Sequence, residues 1–157
     1  MAVFVVPESL KKMVGQTEEP IVFKVEEGAI QRYARAVGDA NPLYNDVEYA
    51  AQSKWGRLLA PPAFPGWPVK SDGFDMIKFV EKLIKAGAPM GLLDGGVDYE
   101  FFSIVAAGDT LVAITKIESI EGRETKLGPT MITTVETNFT NERGDQAFVM
   151  RNMFLNF

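Results

Sequence analysis

Residues 38 to 46 read Gly-Asp-Ala-Asn-Pro-Leu-Tyr-Asn-Asp. A carboxylate, a carboxamide and a phenol fall close together in this stretch, at Asp39, Asn41 and Tyr44. Asp39 can accept a proton or anchor a water. It is also a common turn residue at a helix end. Asn41 can fix a loop or a water through its amide, and Pro42 restricts it to extended geometry. Tyr44 is a poor base at neutral pH, because a phenol titrates near pH ~10, but it can donate a hydrogen bond. Equally, it can serve as an aromatic filler with its hydroxyl tied to a neighbour. The chain contains no histidine and no cysteine. An imidazole base, a thiolate nucleophile and the usual transition-metal ligands are therefore excluded, and only carboxylate sites for hard cations remain.

The elements that must position these groups fall into two halves. The first half is helical. Pro7 and Ser9 open a short helix over Leu10, Met13 and Val14 that Gly15 ends. Ile21, Phe23 and Val25 alternate as a strand. Ile30, Tyr33, Ala34 and Val37 then form one helical face, with Glu26 and Glu27 at its start and Gly38 at its exit. Asp46 is placed to cap a second short helix holding Tyr49 and Ala50. Residues 61 to 68 are dense in proline, and helical spacing runs from Ser71 to Ala86. From Gly95 the period changes to two. Strands are expected from Val97, over Thr110 to Ile117, Thr130 to Thr140 and Gln146 to Phe157, with a turn at Glu121-Gly122 and a hairpin loop at residues 141 to 145. Gly95-Gly96 and Gly108-Asp109 read as turns. Helices followed by strands indicate an α+β fold in one domain over residues 1–157, with the helix of residues 62 to 86 covering the sheet.

Composition narrows the partners. Sixteen basic against 21 acidic residues leave a net charge of −5, which argues against nonspecific nucleic-acid binding. No stretch approaches the roughly 18 apolar residues of a membrane span, and the apolar run at residues 2 to 6 is too short for a signal peptide. A cytoplasmic location is the default expectation.

The stretch at 38 to 46 resembles the hydratase motif of MaoC-like enoyl-thioester hydratases, Gly-Asp-x-Asn-Pro-Leu/Ile-His-x-Asp. Gly38, Asp39, Asn41, Pro42, Leu43 and Asp46 match, and Tyr44 stands at the histidine position. Further resemblances follow in order: Gly56-Arg-Leu-Leu-Ala-Pro-Pro-Ala-Phe64, Val105-Ala-Ala-Gly-Asp-Thr-Leu111, and Thr137 to Asp145. The Ala-Pro-Pro-x-Phe sequence is most similar to the MaoC-type dehydratase N-terminal group, which includes non-catalytic halves and substrate-binding subunits. The resemblance implies a hotdog fold, a curved antiparallel sheet wrapped around a central α-helix, expected to pair as a double hotdog.

The resemblance also implies site residues. Asp39, Asn41 and Tyr44 stand at the family's aspartate, asparagine and histidine positions, where complete members handle the water added to a 2-enoyl thioester. Pro62 falls where catalytic members carry a glycine whose N–H meets the thioester oxygen, and proline has no N–H to give. Proline in a first helical turn explains it equally well. Pro62, Ala63, Phe64 and Trp67 are the expected substrate-binding residues. Phe64, Trp67, Phe74, Ile77 and Phe79 line an acyl tunnel or form core. Arg57, Lys70, Arg123 and Lys126 either meet the phosphates of a coenzyme A or carrier-protein arm or are scattered solvated charges.

The expected function is that of an acyl-thioester-binding subunit of an enoyl-CoA or enoyl-carrier hydratase, inactive alone and paired with a histidine-bearing MaoC-like partner. The alternatives are a stand-alone homodimer that binds acyl-CoA without turnover, and a self-sufficient hydratase using Asp39 with Tyr44. No cofactor or metal is expected.

Overall fold

A computed structural model of the chain describes residues 3–62, 64 and 76–157. Five short or medium helices and five strands follow in the order α1 (Glu8–Lys11), β1 (Ile21–Lys24), α2 (Glu27–Ala36), α3 (Pro42–Asn45), α4 (Val47–Gln52), α5 (Met76–Lys85), β2 (Leu92–Phe101), β3 (Thr110–Thr125), β4 (Gly128–Asn141) and β5 (Gln146–Asn156). The strands form one antiparallel sheet in the order β1-β3-β4-β5-β2. This is the α+β hotdog arrangement. Among the described residues, no helix is long and apolar enough to cross a membrane.

The inward residues of the long strands alternate with outward ones, as a half-covered antiparallel sheet requires. Leu111, Ala113, Thr115 and Ile117 point inward from β3, and Met131, Thr133, Val135, Thr137 and Phe139 from β4. Two clusters divide the core. The first joins Val25, Ile30 of α2, Ala50 of α4, Leu58 and Phe64 to Phe139 and Phe148. The second joins Leu10 and Met13 to Phe79 and Leu83 of α5 over Ile117, Met131, Val135 and Phe154. The amphipathic pattern of α5 thus ends in burial of Phe79 and Leu83, as its spacing predicts. The expected covering helix of residues 62 to 86 is helical only from Met76 among the described residues: Pro62 and Phe64 lie in a turn closed by the Phe64 N–H on Pro61 O, and residues 63 and 65 to 75 lie outside the described residues.

Three expectations change. The turn placed at Glu121-Gly122 is strand: these residues pair with Ile132 and Met131 inside β3, and the chain reverses at residues 125 to 128, with Gly128 at φ +94°. Gly122 is glycine for another reason. A Cβ there would lie 1.8 Å from the carbonyl oxygen of Phe4, so the N-terminal segment can cross the strand only over a bare backbone. Gly95-Gly96 is likewise no turn but an irregularity within β2, where the register with β5 slips between Asp94 and Gly96. Val37, expected on the buried face of α2, sits at its C-cap and is exposed.

The outward face carries a ladder of charges across four strands. Glu136 of β4 accepts from Lys116 of β3 (2.7 Å) and from Nε of Arg151 of β5 (2.9 Å), and Arg151 also reaches Glu100 of β2 (3.2 Å). The hydrogen bond from Lys116 is the main influence that holds the Glu136 carboxyl below its usual value of 4.5, with Arg151 adding and partial burial opposing. A lowered carboxylate stabilises the fold above its unfolded value and ceases to do so as pH falls through the folded one. Glu136→Gln is expected to lose about 1 kcal/mol of unfolding free energy near neutral pH. The gap should close as urea titrations move below pH 4.5.

Candidate functional site

The loop at 38 to 46 begins where α2 ends. Gly38 adopts φ +72°, its N–H donates to Arg35 O (3.2 Å), and the Asp39 N–H donates to Ala34 O (2.8 Å). This 6→1, 5→2 pair is a Schellman ending. Helix capping alone favours an apolar residue at the position Asp39 fills, so the cap does not account for the carboxylate. Asp39 Oδ1 accepts from the Asn41 N–H (3.0 Å), and Asn41 Oδ1 accepts in turn from the Leu43 N–H (3.0 Å), capping α3 with Pro42 in its first turn. Asp46 closes α3 and caps α4 through the Tyr49 N–H (2.9 Å).

Asn45 knots the loop together. Its Nδ2 donates to Asp39 O (2.7 Å) and Asn41 O (3.0 Å), and its own carbonyl accepts from Gln31 Nε2 on α2 (3.1 Å). Sequence reasoning passed over Asn45. The signal was present, since a carboxamide with two donors suits a loop whose carbonyls have no sheet partner.

A strap brings the second part of the site to the first. Leu59 donates to Leu43 O (2.9 Å), Ala60 to Val105 O (2.9 Å), and Ala107 to Leu58 O (2.8 Å). Residues 58 to 60 are therefore stitched between the motif loop and the segment before β3. The chain then turns at Pro61, whose carbonyl accepts from the Phe64 N–H (2.9 Å). Pro62 occupies the second position of that turn, is exposed, and forfeits no hydrogen bond there. Phe64 is buried and meets the ring of Tyr33 edge-on at 5.9 Å. Ala63, Trp67, Lys70 and Phe74 lie outside the described residues.

Tyr44 is half-buried against the first core cluster, which also holds Phe64. Loss of solvent, and secondarily the Asp39 carboxylate, push its phenol above the usual value of 10.0. Asp39, Asn41 and Tyr44 are therefore neighbours in one loop, and Tyr44 packs against the cluster that holds Phe64. The pushed-up phenol is a hydrogen-bond donor at neutral pH and no base. Among the described residues no hydrogen bond reaches Asp39 Oδ2. Tyr99 of β2 was not foreseen here. Burial and then the nearby Tyr33 phenol raise its pKa, and its ring packs against the same cluster.

Of the candidate phosphate-binding cations, the described ones, Arg57, Arg123 and Lys126, are not gathered at this site. Arg57 pairs with Asp109, whose other oxygen accepts from the Ala106 N–H (2.9 Å). Arg123 pairs with Glu121 (2.6 Å) near the far end of the β3–β4 hairpin, and Lys126 lies in that hairpin's turn. Among the described residues no group of carboxylates is arranged to hold a metal ion. Ile77 is largely exposed and Phe79 is in the second cluster, so neither joins Phe64.

Known proteins share this architecture. Residues 12–150 match the model of the FAS1-like dehydratase domain region family. A UPF0336 protein of Parafrankia sp. is 30% identical over 135 residues, 80% of this chain and 78% of that protein. A UPF0336 protein of Streptomyces coelicolor is 31% identical over 113 residues, 71% of this chain and 73% of that one. Among solved structures, the ChsH1-ChsH2 complex of Mycobacterium tuberculosis superposes with a TM-score of 0.79 at 18% identity, over 96% of this chain and 89% of that chain. The truncated HadBC (3R-hydroxyacyl-ACP dehydratase) complex of the same organism gives 0.68 at 23% identity, over 92% and 97%. The R-hydratase PhaJ1 of Pseudomonas aeruginosa gives 0.63 at 20% identity, over 95% and 84%. At these identities the superpositions establish the fold.

Two outcomes are expected of the loop. Asn45→Ala removes two donors from part-buried carbonyls and should cost about 1–3 kcal/mol of stability in denaturant unfolding. In an alkaline spectrophotometric titration, the absorbance step missing from Tyr44→Phe should lie above pH 10. Asp39→Asn should move that step downward.

Proposed function

The chain belongs to the FAS1-like dehydratase domain family of MaoC-like hotdogs, and from that premise we propose that it is the acyl-thioester-binding subunit of an enoyl-CoA or enoyl-carrier hydratase, working in the cytoplasm. Its own catalytic set is incomplete. A histidine-bearing MaoC-like partner supplies the groups that add or remove water, while this chain shapes the acyl pocket and completes a double hotdog.

The observation that carries the reading is the pair Asp39 and Tyr44. Hydration of a 2-enoyl thioester needs one group to take a proton from water and another to deliver one near the α-carbon. In this loop the second position holds a phenol that burial and Asp39 keep protonated well into the alkaline range. It cannot exchange protons at neutral pH as an imidazole does. Pro62 supports the reading from the other strand of chain. It sits in the turn where the resemblance expects a donating N–H, and it has none. The apolar surroundings, with Tyr33, Tyr44 and Phe64 against one cluster, suit an acyl chain better than a charged substrate.

The relatives named above support pairing of unlike chains: two of the superposed structures are complexes of two different proteins. Among the described residues the longer edge of the sheet is β2, which suits two-fold extension into a partner's sheet.

The purified chain, mixed with crotonyl-CoA or a longer 2-enoyl-CoA, is expected to leave the enoyl-thioester absorbance unchanged. Adding a histidine-bearing MaoC-like protein encoded beside it should start turnover. Steady conversion by this chain with no companion, abolished by Asp39→Asn, would instead establish a self-sufficient hydratase.

A further inference from the structure

β2 exposes almost its whole length. Of its residues only Tyr99 is better than marginally covered, and β5 is its single neighbour in the sheet among the described residues. A ten-residue strand with a free row of N–H and C=O groups is a template for another strand. The other edge, β1, has four residues.

Two features of this edge point in opposite directions. The first is apolar. Leu93, Val97 and Phe101 of β2 are 46%, 43% and 39% exposed. Phe102 and Ile104 beyond its end, and Met153 across from Gly96, are also exposed. On the β2 side Met153 faces Gly96, which has no side chain to cover it, and a Cβ on Gly95 would press on Leu155 Cδ1 at 2.5 Å. An edge this apolar is built to be covered.

The second feature is charge. β2 carries Asp94, Asp98 and Glu100 and has no lysine or arginine. When a strand pairs antiparallel with its own copy, residues opposite one another have numbers that sum to a constant. Along the regular stretch beyond Gly96, the registers centred on residues 98, 99 and 100 therefore set Asp98 or Glu100 against a carboxylate of the copy, and no register offers a lysine or arginine opposite either of them. Directly opposed like charges destabilise a strand pair. Arg151 neutralises Glu100 from the neighbouring strand (3.2 Å), and Asp94 Oδ1 accepts from the Gly96 N–H (3.0 Å). Asp98 lies opposite Arg151 in the register of β5 but makes neither an ion pair nor a hydrogen bond among the described residues, Arg151 being turned to Glu100 and Glu136. It lies at the centre of the strand's acidic run.

We infer that this edge is coded against its own copy and in favour of a different chain whose docking strand carries lysine or arginine opposite Asp98. The inference rests on the subunit reading above and adds the chemistry of the partner. Apolar contact supplies the adhesion, and the carboxylates decide which chain receives it, since charge at an interface sets specificity more than affinity.

Asp98→Lys supplies the complementary charge on an otherwise identical strand, leaving Asp94 in place to hold the irregularity at Gly96. Sedimentation velocity in low salt compares the wild-type chain, the variant, and their 1:1 mixture, with far-UV circular dichroism confirming that both are folded. The expected result is that the mixture dimerises at least about threefold more tightly than the wild type does with itself. Salt should weaken the mixed dimer and strengthen the wild-type one, because screening removes attraction in the first and repulsion in the second. Asp98→Asn keeps the shape, removes the charge, and should self-associate more tightly than wild type. A wild-type homodimer whose dissociation constant ignores both salt and these substitutions would overturn the inference, as would a mixture no tighter than wild type. None of these measurements involves a thioester. A chain that passes them yet gains no turnover from any histidine-bearing partner would sink the subunit reading and leave the edge code standing.

Discussion

Among the described residues the loop from Gly38 to Asp46 has no strand beside it, so the backbone groups it buries must be satisfied from within, from α2 or from the strap that crosses it. The rest of the site depends on this constraint. Asp39 and Asn41 each fold a side-chain oxygen back onto an N–H two residues on, Asn45 holds two carbonyls at once, and Leu59 closes the outer side against Leu43. An unsatisfied buried polar group costs about 1–3 kcal/mol, so a loop with several such groups survives only when nearly all are met. The strap's bonds to Val105 and from Ala107 then anchor the loop to the segment leading into β3.

Most of the motif therefore has a structural task independent of chemistry. Gly38 supplies the left-handed exit of α2, Asn41 and Asp46 cap helices, and Pro42 fits a first helical turn. Position 44 has no such task. Its side chain points to the core cluster and its backbone is held by Asn41 whatever the residue. A site whose geometry is kept by backbone bonds can exchange an imidazole for a phenol without losing its shape.

Much of the fold could be read from periodicity. The stripe of Ile30 and Ala34, the alternation in β3 and β4, the cap at Asp46 and the left-handed Gly144 all appear as their local chemistry requires. The misread turns at residues 95–96 and 121–122 share one cause. Glycine marks either a turn or a close approach, and sequence alone does not distinguish them. Gly122 faces the Phe4 carbonyl and Gly95 faces Leu155, contacts made by residues far away in the chain. Asn45 was overlooked for the same reason, since its worth lies in the carbonyls that the folded loop turns toward it. Arg57 looked available as a cation until the fold brought it to Asp109.

The amino-acid sequence by itself determined which chemistry is possible: no imidazole, no thiolate, two carboxylates and one phenol in a hydratase-like loop, and a sheet of half-covered strands. These follow from residue type and local spacing, which act over a few residues. Tertiary structure alone decided that Tyr44 is pressed against the core beside Asp39, that the turn carrying Pro62 begins where the strap meets the motif loop, and that β2 lies at an open edge. Desolvation, strand order and long-range hydrogen bonds depend on which distant segments meet, and only the packed chain brings them together.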